Sequence, residues 1–351
     1  MTKLAEKHNQ TLQDHVRRDL MKRLLGITAV SLATPELLLR TAQAGAAEKA
    51  LMGPPVPDVK PVKLAENIYY LPPKDKFPSV ENKGFFTNIM FIVTKDGVVV
   101  IDPSASLQIG QMAIRMIKTV TKKPVIAVIN THFHGDHWMG NHAFAEAYPG
   151  IPFYSMQEVA TAIKGAIGET WIKMALKATD NQTAGTKIVA PNTFVKAGDV
   201  LDIGGVKLRF HHFGTSHTQY DLVVEIEGTP YVHVGDVMMD HRIAGMDDNE
   251  GSFAGAVEVM KKIKQTMGDR HFFLGHGRHG NARLAEQTEL YEIIWNGVNE
   301  ALKNGDDVSV AKAKIMANPF MQEYGKTTPL YENSLGRWVS FAYLEAEATA
   351  F

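Results

Sequence analysis

Thr131-His132-Phe133-His134-Gly135-Asp136-His137 is the stretch on which the reading of this chain turns. Four side chains able to bind a metal fall within six residues, directly after a short β-branched run at 124–129. Residues two apart in an extended segment point the same way, so His132 and His134 can clamp one cation. The chain then bends at Gly135, which frees Asp136 and His137 to face a second cation. Buried imidazoles and carboxylates are costly unless hydrogen-bonded or ligated, so such a cluster points to a metal.

Outward from this stretch the pattern alternates short strands and helices. Residues 67–71 and 88–93 read as strands, Lys95-Asp96-Gly97 as a turn, and Val98–Ile101 as the next strand. Leu107–Val120 carries apolar residues at helical spacing, and so does Phe253–Met267. Residues 157–177 read as helix, interrupted near Gly165 and Gly168. A strand-rich block runs from 193 to 234, with turns at Gly204-Gly205 and Gly228-Thr229, and 272–274 reads as a buried strand. After Gly280 the chain is mostly helical, over 282–303 and 308–317, with Gly305 as a stop signal between them. Strands followed by helices in each half predict a layered α/β architecture.

Composition narrows the chemistry. The 351 residues carry a formal net charge of −1, which gives no electrostatic footing for nucleic acid. No apolar run reaches the roughly 18–20 residues of a membrane span. There are no cysteines, so disulfides, thiolate ligands and a cysteine nucleophile are all excluded. Any metal must be held by imidazole nitrogen and carboxylate oxygen, which suits zinc, with iron or manganese as alternatives.

The H-x-H-x-D-H spacing of His132, His134, Asp136 and His137 resembles the hallmark of the metallo-β-lactamase superfamily, and later landmarks match in order. Gly214-Thr215-Ser216-His217-Thr218 resembles the segment that carries the third histidine of the first metal. Val234-Gly235-Asp236 resembles the strand end with the bridging aspartate, and Gly275-His276-Gly277 the loop with the last histidine of the second. Val98–Asp102 is similar to the family strand that ends in a structural aspartate. The resemblance covers roughly 62–280. It implies an αβ/βα four-layer sandwich with the site along one edge, followed here by a helical C-terminal extension at 281–351.

It also implies a ligand set and a mechanism. His132, His134 and His217 would hold one zinc; Asp136, His137 and His276 would hold the other, with Asp236 bridging. Two divalent cations, two carboxylates and one hydroxide leave a formal +1, which favours an oxyanion. A metal-bound hydroxide would attack a polarised carbonyl, phosphoryl or sulfuryl group, with Asp136 orienting the nucleophile and accepting its proton. A small-molecule ester, lactone, thioester or amide is the expected substrate. The alternatives are an iron-dependent oxidoreductase similar to persulfide dioxygenases, a β-lactamase, and a non-catalytic metal-binding protein. The cysteine-using β-lactamase subclass is excluded, and an aspartate in Gly235-Asp236 resembles lactonases and thioesterases more than β-lactamases.

The N-terminus reads as an export signal over residues 1–44. Arg17-Arg18 precedes a mild apolar stretch from Leu24 to Ala33, and Ala42-Gln43-Ala44 is a small-x-small cleavage site. The arginine pair resembles a twin-arginine signal. It implies contact with that export machinery and a periplasmic or secreted location. Gly53-Pro54-Pro55-Val56-Pro57 lies in a stiff, Pro-rich linker at 45–61.

Other candidates carry less. His211, His212 and His233 lie in expected strands, with core or supporting roles. Arg278 and His279 read as loop residues, and His142 and His241 lack a context. Met90, Met238, Met239 and Met246 read as core fillers. Asp221 is a candidate to orient a metal histidine through a hydrogen bond. The segment around Trp171-Ile172-Lys173-Met174 is either a lid over the metals or a packed surface helix.

Overall fold

The computed structural model describes residues 51–243 and 250–350. The expected export signal at 1–44, the first residues of the linker, and Met246 lie outside them. Two sheets stack face to face. The first has seven strands in the order β1 (Val62–Lys63), β2 (Ile68–Leu71), β3 (Ile89–Val93), β4 (Val98–Ile101), β5 (Val125–Ile129), β6 (Phe153–Ser155) and β7 (Thr193–Phe194). The second has five: β8 (Val200–Ile203), β9 (Val206–His211), β10 (Val223–Ile226), β11 (Tyr231–His233) and β12 (His271–Phe273), with β12 at one edge and β8 at the other.

Period-two alternation builds the layers. In β3 and β4, Met90, Ile92, Val99 and Ile101 face inward, where they meet Leu208, Phe210, Val224, Ile226 and Phe273 of the second sheet. Their neighbours Ile89, Phe91, Val98 and Val100 face outward onto α1 (Leu107–Val120), packing with Ile109, Met112 and Ile117. The second sheet repeats the scheme. Val223, Val232 and Phe272 pack outward onto α6 (Phe253–Met267), which contributes Val257, Met260 and Ile263. Helix, sheet, sheet and helix are thus the four layers that the motifs lead one to expect.

Between these elements lie α2 (Gly135–Trp138), α3 (Asn141–Ala147), α4 (Gln157–Lys164) and α5 (Ala166–Ala178), so the long helix expected near 157–177 breaks at Gly165. Ser106 caps α1 by accepting from the Ile109 amide, and Ser252 caps α6 by accepting from Gly255. Four C-terminal helices complete the outer layer: α7 (Arg283–Asn304), α8 (Val308–Met316), α9 (Pro319–Lys326) and α10 (Tyr331–Ala350). Gly305 ends α7 in the left-handed conformation, at φ 73°. These helices share a core with α6, in which Tyr291, Ile294, Val298, Trp338 and Val339 are buried. The helical extension is therefore packed onto the outer face of the sandwich.

Residues 51–61 form no helix or strand, in keeping with their prolines, yet the segment is tied down. Val56 is buried, Gly53 N donates to Ala184 O, and Arg115 pairs with Asp58. No helix among the described residues is long and apolar enough to cross a membrane.

Candidate metal centre

The seven expected ligands arrive from different chain segments at one edge of the sandwich, where the parallel strands β4 and β5, and β11 and β12, reach their C-terminal ends. Beyond β5 the backbone is still extended at His134 (φ −68°, ψ 138°) and then enters α2. A Cβ on Gly135 would sit 2.7 Å from the Trp171 Cβ, so glycine is what lets α5 close on this turn. Asp236 follows β11 and His276 follows β12. Gly275, between them, faces His137, and a Cβ there would lie 2.6 Å from the His137 ring. Backbone bonds stitch the two sheets at this edge: Leu222 N donates to Thr131 O, and Asn88 N to Gly275 O.

Three sets of donors each gather within 4.8 Å: His132, His134 and His217; Asp136, His137 and His276; and His132, His137 and Asp236. His134 Nδ1 and His217 Nε2 are 2.9 Å apart. His276 Nε2 lies 3.1 Å from Asp136 Oδ2 and 3.2 Å from Asp236 Oδ2. His137 Nε2 is 3.4 Å from Asp236 Oδ1, and His217 Nε2 is 3.7 Å from Asp236 Oδ2. Asp236 therefore faces both sets, and all seven side chains are buried.

The outer edges of the rings fix their tautomers. His137 Nδ1 donates to Asp102 Oδ2 at 2.8 Å, and His276 Nδ1 donates to the Phe86 carbonyl at 2.9 Å. Thr131 Oγ1 gives its proton to Asp102, so it accepts from His132 Nδ1. Glu250 takes the Nε2 proton of His134 at 2.8 Å. Each bond leaves the other ring nitrogen turned inward. Correspondingly, the Nε2 atoms of His132, His137 and His276, and Oδ1 of Asp236, are buried without a hydrogen-bond partner among the described residues. Lone pairs that converge away from water are unfavourable by themselves. A cation satisfies them, so this donor set fits divalent metal.

In the metal-free chain the surrounding carboxylates draw a proton to His137, in the place a cation would otherwise take. Burial, followed by repulsion from neighbouring imidazoles, holds His132 and His217 well below the ordinary histidine range. Burial would raise the carboxyls of Asp136 and Asp236, but His137 and His276 hold both well below the usual carboxylate range. Burial would lower His137, yet Asp236, Asp136 and Asp102 outweigh it and push it well above. Asp102 sits at φ 52°, which turns its carboxylate back to accept from Thr131 N, Thr131 Oγ1 and His137.

Several contacts lay beyond the reach of the sequence. Glu250 supports His134. Arg242 Nη1 sits 3.3 Å from Asp236 Oδ2, with its guanidinium 5.3 Å from the Phe77 ring and 5.4 Å from the Phe86 ring. Thr87 Oγ1 donates to Asp136 Oδ2 at 3.0 Å. Glu250 and Arg242 occupy a stretch without periodicity or motif, so nothing local signals them. The expectation for Asp221 needs correction. Its carboxylate accepts from Thr218 N and Thr218 Oγ1, both at 2.8 Å, and so braces the turn after His217 rather than orienting a metal histidine. Burial pushes this carboxyl up to about 7.

The remaining candidates have other partners. His211 pairs with Glu225, His212 with the Asp221 carbonyl, and His142 with Glu146. His233 Nδ1 accepts from Gly235 N. Arg278 grips Asp240, His279 meets His271, and His241 stacks on Tyr324. The Trp171 segment packs over the centre, with its indole 4.7 Å from the His134 ring.

Comparison with known proteins bears on the fold and family of the chain. A hydroxyacylglutathione hydrolase from Gloeobacter violaceus is 22% identical over 278 residues, which span 74% of this chain and 94% of that protein. A metallo-β-lactamase from Pontibacter korlensis superimposes with a TM-score of 0.53 at 18% identity, covering 67% of this chain and 99% of the other. A stereoselective inverting sec-alkylsulfatase from Pseudomonas sp. gives a TM-score of 0.62 at 15% identity over 83% of this chain, but this chain spans only 51% of the sulfatase. The family description "Metallo-beta-lactamase superfamily" matches residues 82–276, more than half the chain. With the ordered motifs, the stacked sheets and the histidine-rich edge all in place, this chain belongs to the metallo-β-lactamase superfamily.

Proposed function

We propose that the chain is a binuclear zinc hydrolase that cleaves an ester, lactone, thioester or amide in a small-molecule substrate. His132, His134 and His217 would hold one ion and Asp136, His137 and His276 the other, with Asp236 shared. One observation carries this reading: three ring nitrogens and a carboxylate oxygen converge in a buried space and find no hydrogen-bond partner among the described residues. Divalent ions held there supply Lewis acidity and lower the pKa of water towards about 7.

The protein supplies position and proton transfer. Thr87 fixes the rotation of the Asp136 carboxylate by a hydrogen bond. Asp136 then faces the centre as a base held ionised by His137 and His276. Arg242 pins Asp236 from the other side. Trp171 covers His134 and keeps water from that flank. The named hydrolase relative supports including a thioester among the substrates, and the sulfatase fold likeness makes a sulfate ester a fair comparison.

Export through the twin-arginine route is part of the same proposal, on the strength of Arg17-Arg18 and Ala42-Gln43-Ala44. One preparation tests both. Protein recovered from the periplasm has the mass of a chain cut after Ala44, carries about two zinc ions per chain, and hydrolyses members of a thioester, lactone, ester, amide and sulfate-ester panel. Uncut cytoplasmic protein would end the export reading. One iron per chain with oxygen uptake on a persulfide would end the hydrolytic one, and a metal-loaded chain silent on the whole panel would leave a binding protein.

A further inference from the structure

A slot opens beside the centre between α5 and the chain at 78–86, with a volume of about 80 Å³. Phe86, Met139, Trp171, Met174, Ala175 and Ala178 supply most of its wall, and Asp136 is the only charged residue that lines it among the described residues. Thr179 and Thr183 close one side, but their hydroxyls are already engaged. Thr179 Oγ1 donates to Ala175 O at 2.7 Å and meets Thr183 Oγ1 at 3.4 Å. Their methyl groups point towards Gly84, where a Cβ would lie 3.2 Å from each. The wall is therefore apolar from the Asp136 carboxylate to the far end.

We propose that this slot receives a short apolar acyl substituent joined directly to the carbonyl carbon that is attacked, so that the chain prefers small acyl groups with an aliphatic tail over charged or strongly polar ones. Three features carry the proposal. The slot begins at the carboxylate placed to serve the attacking water, so its occupant is the group next to the scissile bond. Among the described residues it offers an incoming polar group no free donor or cation. At about 80 Å³ it is far smaller than the roughly 300–1,000 Å³ of whole-ligand pockets, so it takes a substituent rather than an entire substrate. The proposal rests on the hydrolytic reading, because Asp136 is shared between slot and centre.

The test uses the zinc-loaded protein and straight-chain carboxylates from acetate to octanoate, titrated by calorimetry. Affinity should rise about fourfold per methylene, the ratio that ~0.8 kcal/mol per buried CH₂ gives, and then level off once the slot is full. Ala175→Leu and Ala178→Leu, each checked for zinc content, should cut the hexanoate-to-acetate affinity ratio to below about twofold. Equal affinities along the series, no detectable binding of the longer acids, or a ratio unchanged in both zinc-loaded variants would overturn the slot. A clear chain-length gain in a protein that hydrolyses no acyl compound would sink the hydrolytic reading and leave the slot standing.

Discussion

At His137 the outer ring nitrogen meets the buried carboxylate of Asp102, whereas at His134 it meets Glu250, whose side chain is 27% exposed. The two sides of the centre differ throughout in this way. Around Asp136, His137 and His276, support comes from Asp102, Thr87 and the Phe86 carbonyl, all of them buried groups of the first sheet and its loops. Around His132, His134 and His217, the support is a threonine hydroxyl and a partly exposed glutamate, and His217 Nδ1 has no hydrogen-bond partner among the described residues. Charge is unequal as well. The first side offers carboxylates and imidazoles together, the second three imidazoles. The lesson is that the carboxylate side is locked by groups shut away from water, while the imidazole side depends on a partly exposed glutamate.

The sharpest way to break this contrast is to remove one ligand from each side. His276→Ala should leave a protein that holds about one zinc per chain and loses hydrolysis by at least about a thousandfold, as expected when the ions act together. His217→Ala should do the same from the opposite side. Metal analysis beside activity checks both, and two zinc ions retained in either variant would dissolve the assignment of separate sides.

A smaller effect is expected from the supporting carboxylates. Asp102→Asn should weaken zinc binding or turnover by about 10–100-fold, the usual range for groups that orient a metal histidine. Glu250→Gln should stay at or below the lower end of that range, because water can replace a partly exposed acceptor. Competition with a chromophoric chelator measures the two. A Glu250→Gln loss larger than that of Asp102→Asn would reverse the proposed hierarchy.

The smallest effect concerns stability and the turn that carries His217. The Asp221 carboxyl is pushed up to about 7 by burial, above its ordinary value of 3.8. The folded chain therefore binds this proton more tightly than the unfolded one. Its stabilising contribution is complete below about pH 4 and is lost as the pH rises through about 7. In metal-stripped protein, Tm should fall between pH 5 and 8 by a few degrees more for the natural chain than for Asp221→Asn. Parallel Tm curves would remove Asp221 from the account.

The reach of the sequence can be judged from particular elements. Leu107–Val120 and Phe253–Met267 are found at the limits their apolar spacing gives, because each is amphipathic and begins at a serine cap. The break between α4 and α5 follows Gly165, and Gly305 ends α7. The long α10 was legible only as generally helical chain, since its burial depends on packing against α7 and α8 rather than on a strong periodic face. The donors were legible because metal chemistry demands particular atoms at short spacing, and the sequence placed four of them within one turn.

What residue order determined by itself was therefore the identity of the donors and the alternation that stacks two sheets between helices. Both are local properties, set by side-chain chemistry and by the periods of strand and helix. Tertiary structure alone decided that Glu250 reaches His134 and Arg242 reaches Asp236. It also decided that Trp171 packs on His134 beside an apolar slot. These contacts join positions up to more than a hundred residues apart. No local pattern encodes them, because their energy exists only once packing has brought the partners together and shut out water.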